Sequence, residues 1–319
     1  MRKIVDDNRL IYKCCSLYYE DNLGQNQIAD YLGISKSSVS RMLKMGRELG
    51  IVEIKVHHVS QYMYDDLERQ LMEKFHLRDV IVAESSPLDS KEDRITKLNE
   101  RAADYLDRLL KDGDYVGVSV GSTLRNIAHT SLECRKRDCT FVPIVGGLGT
   151  EEIQSAQVAE AFSRKFGGKH IPFFSPAVFS NEGLMREFLK EESVNYIFDY
   201  FKKLNVVISG MSYKSGGDLS CLTIERLGFV TEEMRSRYVR QGAVANLVVR
   251  FIDKEGRTEA FDEFNRRVAA ISMEQYQKTA LKLLITGGND KKEIVKAYIR
   301  GGYANILIID VDCARELLS

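Results

Sequence analysis

The chain has 319 residues, and its 46 lysines and arginines are balanced by 46 aspartates and glutamates. That length predicts about two domains. Its 44% apolar and 29% charged composition excludes global disorder, and zero net charge argues against a polybasic nucleic-acid coat or a membrane-surface protein. No apolar run approaches the roughly 18 residues needed to span a bilayer. The opening MRKIVDDNRLIYK lacks the apolar stretch of a signal peptide, so a cytoplasmic protein is expected. The six cysteines (Cys14, Cys15, Cys134, Cys139, Cys221, Cys313) contain no CxxC pair and the five histidines are scattered. No metal or cofactor is expected from them.

Residues 9–21 carry Leu10, Ile11, Cys14, Leu17 and Tyr18 at the spacing of an amphipathic helix. Residues 25–50, QNQIADYLGISKSSVSRMLKMGRELG, suit two short helices joined by a tight turn. Ala29 is small where the second helix approaches, Gly33 supplies a positive φ, Ser35 is an N-cap and Gly50 ends the second helix. IVEIKVHH (51–58) alternates like a strand and reads as a wing. The spacing is that of a winged helix-turn-helix. Its second helix is predicted to present Lys36, Ser37, Ser38, Ser40, Arg41 and Lys44 to the major groove of double-stranded DNA. Short hydroxyls reach bases or phosphates, Arg pairs bidentately with guanine and Lys neutralises phosphate. A helical hairpin with a solvated polar face is the competing reading. Residues 35–55 hold five basic and two acidic side chains, a small positive head on an otherwise neutral chain.

Residues 60–77 read as a linking helix striped by Tyr64, Leu67, Leu71 and Phe75, packed either on the large domain or on a second copy. SSPLDS (85–90) is a loop. Beyond it, six runs rich in Val, Ile and Leu (79–84, 115–120, 139–145, 205–210, 280–286, 305–310) alternate with helical stretches such as 91–111, 153–167 and 290–300. This is the pattern of a parallel α/β sheet. A hairpin-like insert at 244–271 is expected to turn at DKEG (253–256). Ligands of such sheets sit beyond the carboxyl ends of strands. Gly121, Ser122 and Thr123 follow one strand and form a predicted phosphate cradle. Gly146 and Gly147 follow the next, and Gly287 and Gly288 with Lys291 follow a later one. A lysine in a helix's first turn opposes the helix dipole and is explained by an anionic ligand. The FDEFNRR segment (261–267) is either a solvated charged turn or a pocket wall. GxxxxGK[ST], HExxH and GxSxG are absent, which leaves P-loop, zinc-protease and hydrolase readings without support.

Taken in order, QNQIADYLGISKSSVSRMLKMGRELGIVEIKV, VGVSVGSTL, FVPIVGGLG, GAVANLVVRFIDKEG, ITGGNDKKEI and ANILIIDVDCARELL resemble the SorC-type sugar-binding transcriptional regulators, the family related to the Bacillus-type DeoR repressor. The resemblance covers nearly the whole chain. It implies a DNA-binding domain (1–58), a linking helix (59–77) and an α/β effector domain (78–319) similar to ribose-phosphate isomerases and glucosamine-phosphate deaminases. It also implies a phosphorylated sugar as effector and a homo-oligomer, commonly a dimer of dimers. By motif, Gly121, Ser122 and Thr123 would hold phosphate with Lys291 beside them, Gly146 and Gly147 would line the pocket, and Asn265 and Arg267 would lie near the ligand. Two departures stand out. Val145 replaces a residue that is often basic, and Ala245-Asn246 replaces a Gly and an acidic residue. Asn246 can still hydrogen-bond a sugar hydroxyl but supplies no charge. The expected function is therefore a non-enzymatic, ligand-responsive regulator of carbohydrate metabolism. Its rivals are an active sugar-phosphate isomerase or deaminase, with Asp262 and Glu263 as acid/base candidates, and a sugar-binding protein that does not touch DNA.

Overall fold

The computed structural model describes residues 8–52, 64–86, 88–149, 155–211 and 223–319. Contacts divide the chain into two compact units, Met1–Tyr62 and Met63–Ser319. In the first, α1 (Asn8–Tyr19), α2 (Gln25–Leu32) and α3 (Lys36–Glu48) enclose a core of Ile11, Cys14, Cys15, Ile28, Ala29, Val39, Met42 and Leu43. Gly33 ends α2 at φ 64°, and Ser35 caps α3 by accepting from the Ser38 N–H at 3.2 Å. Those two local choices set the sharp turn between the helices. The wing expected at 51–58 lies outside the described residues from 53 onward.

The second unit is built on seven parallel strands: β1 (Asp79–Ala83), β2 (Tyr115–Val118), β3 (Thr140–Pro143), β4 (Lys169–His170), β5 (Val206–Gly210), and, after a separate hairpin of β6 (Ala243–Leu247) and β7 (Arg250–Asp253), β8 (Leu281–Thr286) and β9 (Ile306–Asp310). Their order in the sheet is β1-β9-β8-β5-β2-β3-β4. From β2 the chain steps outward through β3 and β4, then returns to place β5 on the other side of β2, next to β8. The order therefore reverses between β2 and β5. Both faces of the sheet are covered, which is why the strands are continuously apolar rather than alternating. Val116, Val118, Ile208 and Ile285 pack under α5 (Lys91–Leu109), α6 (Ser122–Ala128) and α7 (Ser155–Phe166). Val80, Val82, Val207 and Leu284 face the opposite core.

The helix α4 (Asp65–Phe75) packs its Tyr64–Leu67–Leu71–Phe75 stripe on that opposite core. Leu71 of the stripe is fully buried there, and Tyr64, Leu67 and Phe75 are half-buried. Glu68 accepts from the Val82 N–H at 2.7 Å on edge strand β1, so the helix also occupies a donor that an exposed edge would offer to another chain. Lys74 donates to the carbonyls of Leu317 and Leu318 at the end of the last helix.

The hairpin turns elsewhere than expected. Its tip is Val248-Val249, both at positive φ (42° and 72°), and DKEG instead forms a turn after β7. Two valines carry none of the Asn/Gly signal of such a turn. Left-handed backbone costs roughly 1–2 kcal/mol per residue, whereas burying a valine side chain contributes about 1.5–3 kcal/mol. Both valines are buried, so packing overrides local preference. Asn265 then locks the hairpin. Its Oδ1 accepts from the Phe251 N–H at 2.8 Å, and its Nδ2 donates to the carbonyls of Phe251 (2.9 Å) and Thr258 (3.2 Å). Arg250 donates to the carbonyls of Ile271 and Val268.

Two outcomes follow in urea or thermal denaturation. Asn265→Ala leaves the Phe251 donor buried and unpaired and should cost about 1–3 kcal/mol. Val249→Gly relieves the backbone but removes more packing, and should destabilise the chain by roughly 1 kcal/mol despite supplying the residue such a turn prefers.

Candidate functional site

A cavity of about 800 Å³ opens beyond the carboxyl ends of β2, β5, β8 and β9. It spans the point where the strand order reverses, the place where an open parallel sheet leaves a crevice between diverging connections. Ser122 and Thr123 reach it from the start of α6, Met211 follows β5, and Thr286 ends β8 with Gly287 through Lys291 after it. The structure thus brings together five residues singled out in sequence, Ser122, Thr123, Gly287, Gly288 and Lys291. Gly121 immediately precedes Ser122, with its carbonyl accepting from the Arg125 N–H.

The rest of the wall comes from α5 and from Asp310. Lys91, Arg94, Ile95, Leu98 and Asn99 line the cavity at spacings of three and four, one face of a helix. Sequence reasoning passed over this face. Its signal is a polar Asn continuing the stripe of Ile95 and Leu98. Ahead of α5, Asp89 accepts from Lys97 Nζ at 2.8 Å and from the Ser86 N–H at 2.6 Å. The Lys97 hydrogen bond is the main cause that holds the Asp89 carboxyl below its ordinary range. Arg94 pairs with Asp312 at 2.7 Å.

Asp310, buried at the end of β9, accepts from the Cys313 N–H at 2.8 Å through one oxygen and from the Gly288 N–H at 2.8 Å through the other. A Cβ at Gly287 would lie 2.4 Å from that second oxygen, so glycine is required by close approach. Lys291 is the N-cap of the helix Lys292–Arg300, one residue before its first turn. Burial lowers its pKa, opposed by Asp290, Cys313 and Asp310. The cation therefore sits partly desolvated at the positive end of a helix.

Several other polar groups of this wall have no protein partner. Among the described residues no hydrogen bond engages the hydroxyls of Ser122 and Thr123, the amides of Asn99, Asn126 and Asn289, or the ammonium groups of Lys91 and Lys291. Ser122, Asn126, Asn289 and Lys91 are exposed to solvent, Thr123 and Lys291 are half-buried, and Asn99 is buried. Buried polar groups are ordinarily satisfied, so the unused groups of the last three mark a candidate binding surface.

Other expected site residues lie elsewhere. The turn after β3 does not line this cavity. Gly146 donates to the Ala269 carbonyl and Gly147 to that of Ser175, and a Cβ on Gly146 would meet the Pro176 carbonyl at 2.5 Å. Chain from two other segments fills the space a ligand would need, and Val145 bridges Ala270 beside it. Asn265 is consumed by the hairpin. Arg267 Nε donates to the Phe179 carbonyl at 2.7 Å. Asn246 sits in β6, with its carbonyl accepting from Tyr298 and its Nδ2 buried without a partner. The acid/base candidates Asp262 and Glu263 are ion-paired with Arg266 and Arg237, away from the cavity wall.

In the first unit, Lys36, Ser37, Ser40, Arg41 and Lys44 are exposed on α3. Ser38 is half-buried, with its Oγ 2.9 Å from that of Ser35, so it serves the cap rather than the outer surface. Arg41 Nε donates to the Ser37 carbonyl at 3.4 Å, and Lys44 pairs with Glu48 at 3.7 Å. Exposed Arg47 extends the same basic surface, and Lys13 lies 5.3 Å from the centroid of the exposed Tyr31 ring.

A family model described as "Putative sugar-binding domain" matches residues 61–319. The chain is 29% identical over 318 residues to the deoxyribonucleoside regulator of Bacillus subtilis (strain 168), covering 98% of each chain. It is 28% identical over 321 residues to the sorbitol operon regulator of Klebsiella pneumoniae, again covering 98% of each. The crystal structure of the full-length sorbitol operon regulator SorC from Klebsiella pneumoniae superposes with a TM-score of 0.72 at 26% identity, over 98% of this chain and 100% of that one. A crystal structure described as the "Putative Sugar-Binding Domain of Transcriptional Repressor from Vibrio fischeri" matches in fold with a TM-score of 0.71 at 22% identity, over 80% of this chain and 98% of that one. Among the described residues no helix is long and apolar enough to cross a membrane. With the family match spanning most of the chain and both units paralleled in a SorC structure, the chain belongs to the sugar-binding domain family of SorC-type transcriptional regulators.

Proposed function

We propose that the chain is a ligand-responsive, DNA-binding regulator of carbohydrate metabolism. In this reading α2, the Gly33 turn and α3 form a helix-turn-helix for double-stranded operator DNA, and the large unit senses a phosphorylated sugar. The observation that carries the effector assignment is the cavity at the strand-order reversal, where unpaired hydroxyls and an undercompensated lysine converge. The phosphate is held by backbone N–H groups after Gly121, the hydroxyls of Ser122 and Thr123, and the ammonium of Lys291. An anion there offsets both the desolvation of Lys291 and its unfavourable position at a helix start. The proton balance has a definite sign. Free Lys291 has a lowered pKa and anion binding raises it, so binding takes up protons at pH values near the free-state pKa and weakens above it.

The regulatory step is a population shift. The sugar phosphate binds one arrangement of the effector domain more tightly and so changes how paired recognition helices are presented. A homo-oligomer, a dimer of dimers, supplies those pairs. Each head carries few cations, so joining several on one operator raises affinity without new contacts, and half-sites fall about one helical turn or its multiples apart.

Arg41→Ala should weaken operator binding and lower the slope of log K against log salt by about one, the loss of one phosphate contact. Fluorescence anisotropy across a salt series reads both; an unchanged slope and affinity would remove Arg41 from the interface. Thr123→Val and Lys291→Ala should each weaken sugar-phosphate binding roughly tenfold, the loss of one charge-assisted contact. Operator binding without ligand should not change. Calorimetry that finds full affinity in both variants would sink the phosphate assignment.

A further inference from the structure

The α5–β8 wall of the same cavity contains two polar side chains that packing does not explain. Asn99 is 4% exposed and Thr286 2% exposed, and Asn99 Oδ1 and Thr286 Oγ1 are both buried without a hydrogen-bond partner. Leaving such atoms unpaired costs stability. Their surroundings would accept apolar replacements. Ile95 and Leu98 precede Asn99 on the cavity face of α5, and Leu281, Leu283, Leu284 and Ile285 precede Thr286 on β8. Both residues line the same cavity, and α5 approaches the end of β8 closely, since a Cβ on Gly287 would sit 3.3 Å from Leu98 Cδ2.

Lys91, exposed at the start of α5 and close enough to act on Lys291, is a second cation at the phosphate end. With Arg94 neutralised by Asp312 and buried Asp310 adding a negative group, the wall around Asn99 is paired or negative. Its open hydrogen-bonding capacity suits neutral hydroxyls. An amide presents donor and acceptor side by side and a threonine hydroxyl does both, the complement of adjacent alcohols that each donate and accept.

We propose that Asn99 and Thr286 form a hydroxyl-reading subsite that selects a polyhydroxylated phosphate ester, sugar or sugar alcohol, over bare phosphate. The proposal rests on the reading that the cavity takes a phosphorylated sugar. It adds that ligand choice is made at the wall opposite in character to the phosphate cradle, by two residues that touch the carbon chain's hydroxyls.

The test uses the full chain and calorimetric titration with inorganic phosphate, pentose 5-phosphates, hexose 6-phosphates and hexitol 6-phosphates. Asn99→Leu and Thr286→Val keep side-chain volume and remove the orphaned atoms. Each should fold with a melting temperature at or above that of the parent, because an unpaired buried polar group is gone. Each should also bind the preferred monophosphate roughly tenfold more weakly, with inorganic phosphate unaffected. Thr286→Ser keeps the hydroxyl and should retain affinity. Undiminished monophosphate affinity in both apolar variants, or equal loss of inorganic phosphate, would each overturn the subsite while leaving the sugar-phosphate reading standing. A parent chain that binds none of these compounds would overturn both.

Discussion

Two backbone N–H groups, those of Gly288 and Cys313, converge on the carboxylate of Asp310, and the floor of the ligand cavity is built on that convergence. The acid ends a wholly buried strand, where an ionised group loses its hydration. Burial raises its pKa against the pull of the two N–H groups. Each oxygen does separate structural work. One starts the last helix, which packs on α4 and β1. The other fixes the turn after β8 so closely that only glycine fits at 287. The same turn delivers Thr286 and Lys291 to the cavity, so one charge-assisted constraint sets the geometry of the wall on which ligand selection is proposed to depend.

Against this background the distribution of satisfied and unsatisfied groups is informative. Asn265 uses three hydrogen bonds to hold a hairpin, Glu68 occupies an edge-strand donor, and Lys282 donates to the carbonyls of Gln277 and Thr279. Elsewhere the large unit satisfies many of its buried polar groups, even where a lysine or an asparagine must be buried to do so, but not Ser155 Oγ or Asn246 Nδ2. In the cavity Asn99 Oδ1 and Thr286 Oγ1 are buried without a partner. Stability alone would favour apolar or paired groups at these two positions, so their openness is best understood as a cost borne for binding.

Much of the fold was legible along the chain because its signals are local. The six long apolar runs became strands, since a sheet covered on both faces needs no alternation. Gly33 and Ser35 placed the turn between α2 and α3. The hairpin turn was not legible, because two buried valines at positive φ obey packing rather than turn chemistry. The Gly146-Gly147 turn resembled the ligand-facing glycine turns in sequence, yet β3 lies on the far side of β2 from β5 and its turn is filled by residues near 175 and 269. Asn265 looked like a ligand contact, and its partners are instead backbone groups of Phe251 and Thr258.

The sequence by itself determined the classes of element, the three-helix head with its basic face, and the strand-to-helix turns that carry Ser122, Thr123 and Lys291, because each depends on neighbours within a few positions. Only the tertiary structure decided which strand ends share a crevice, because that follows from a strand order that reverses between β2 and β5. It alone brought the face of α5 to the end of β8, nearly two hundred residues away, and left Asn99 and Thr286 without partners. Whether a buried polar atom is satisfied depends on which distant groups folding brings within hydrogen-bond reach.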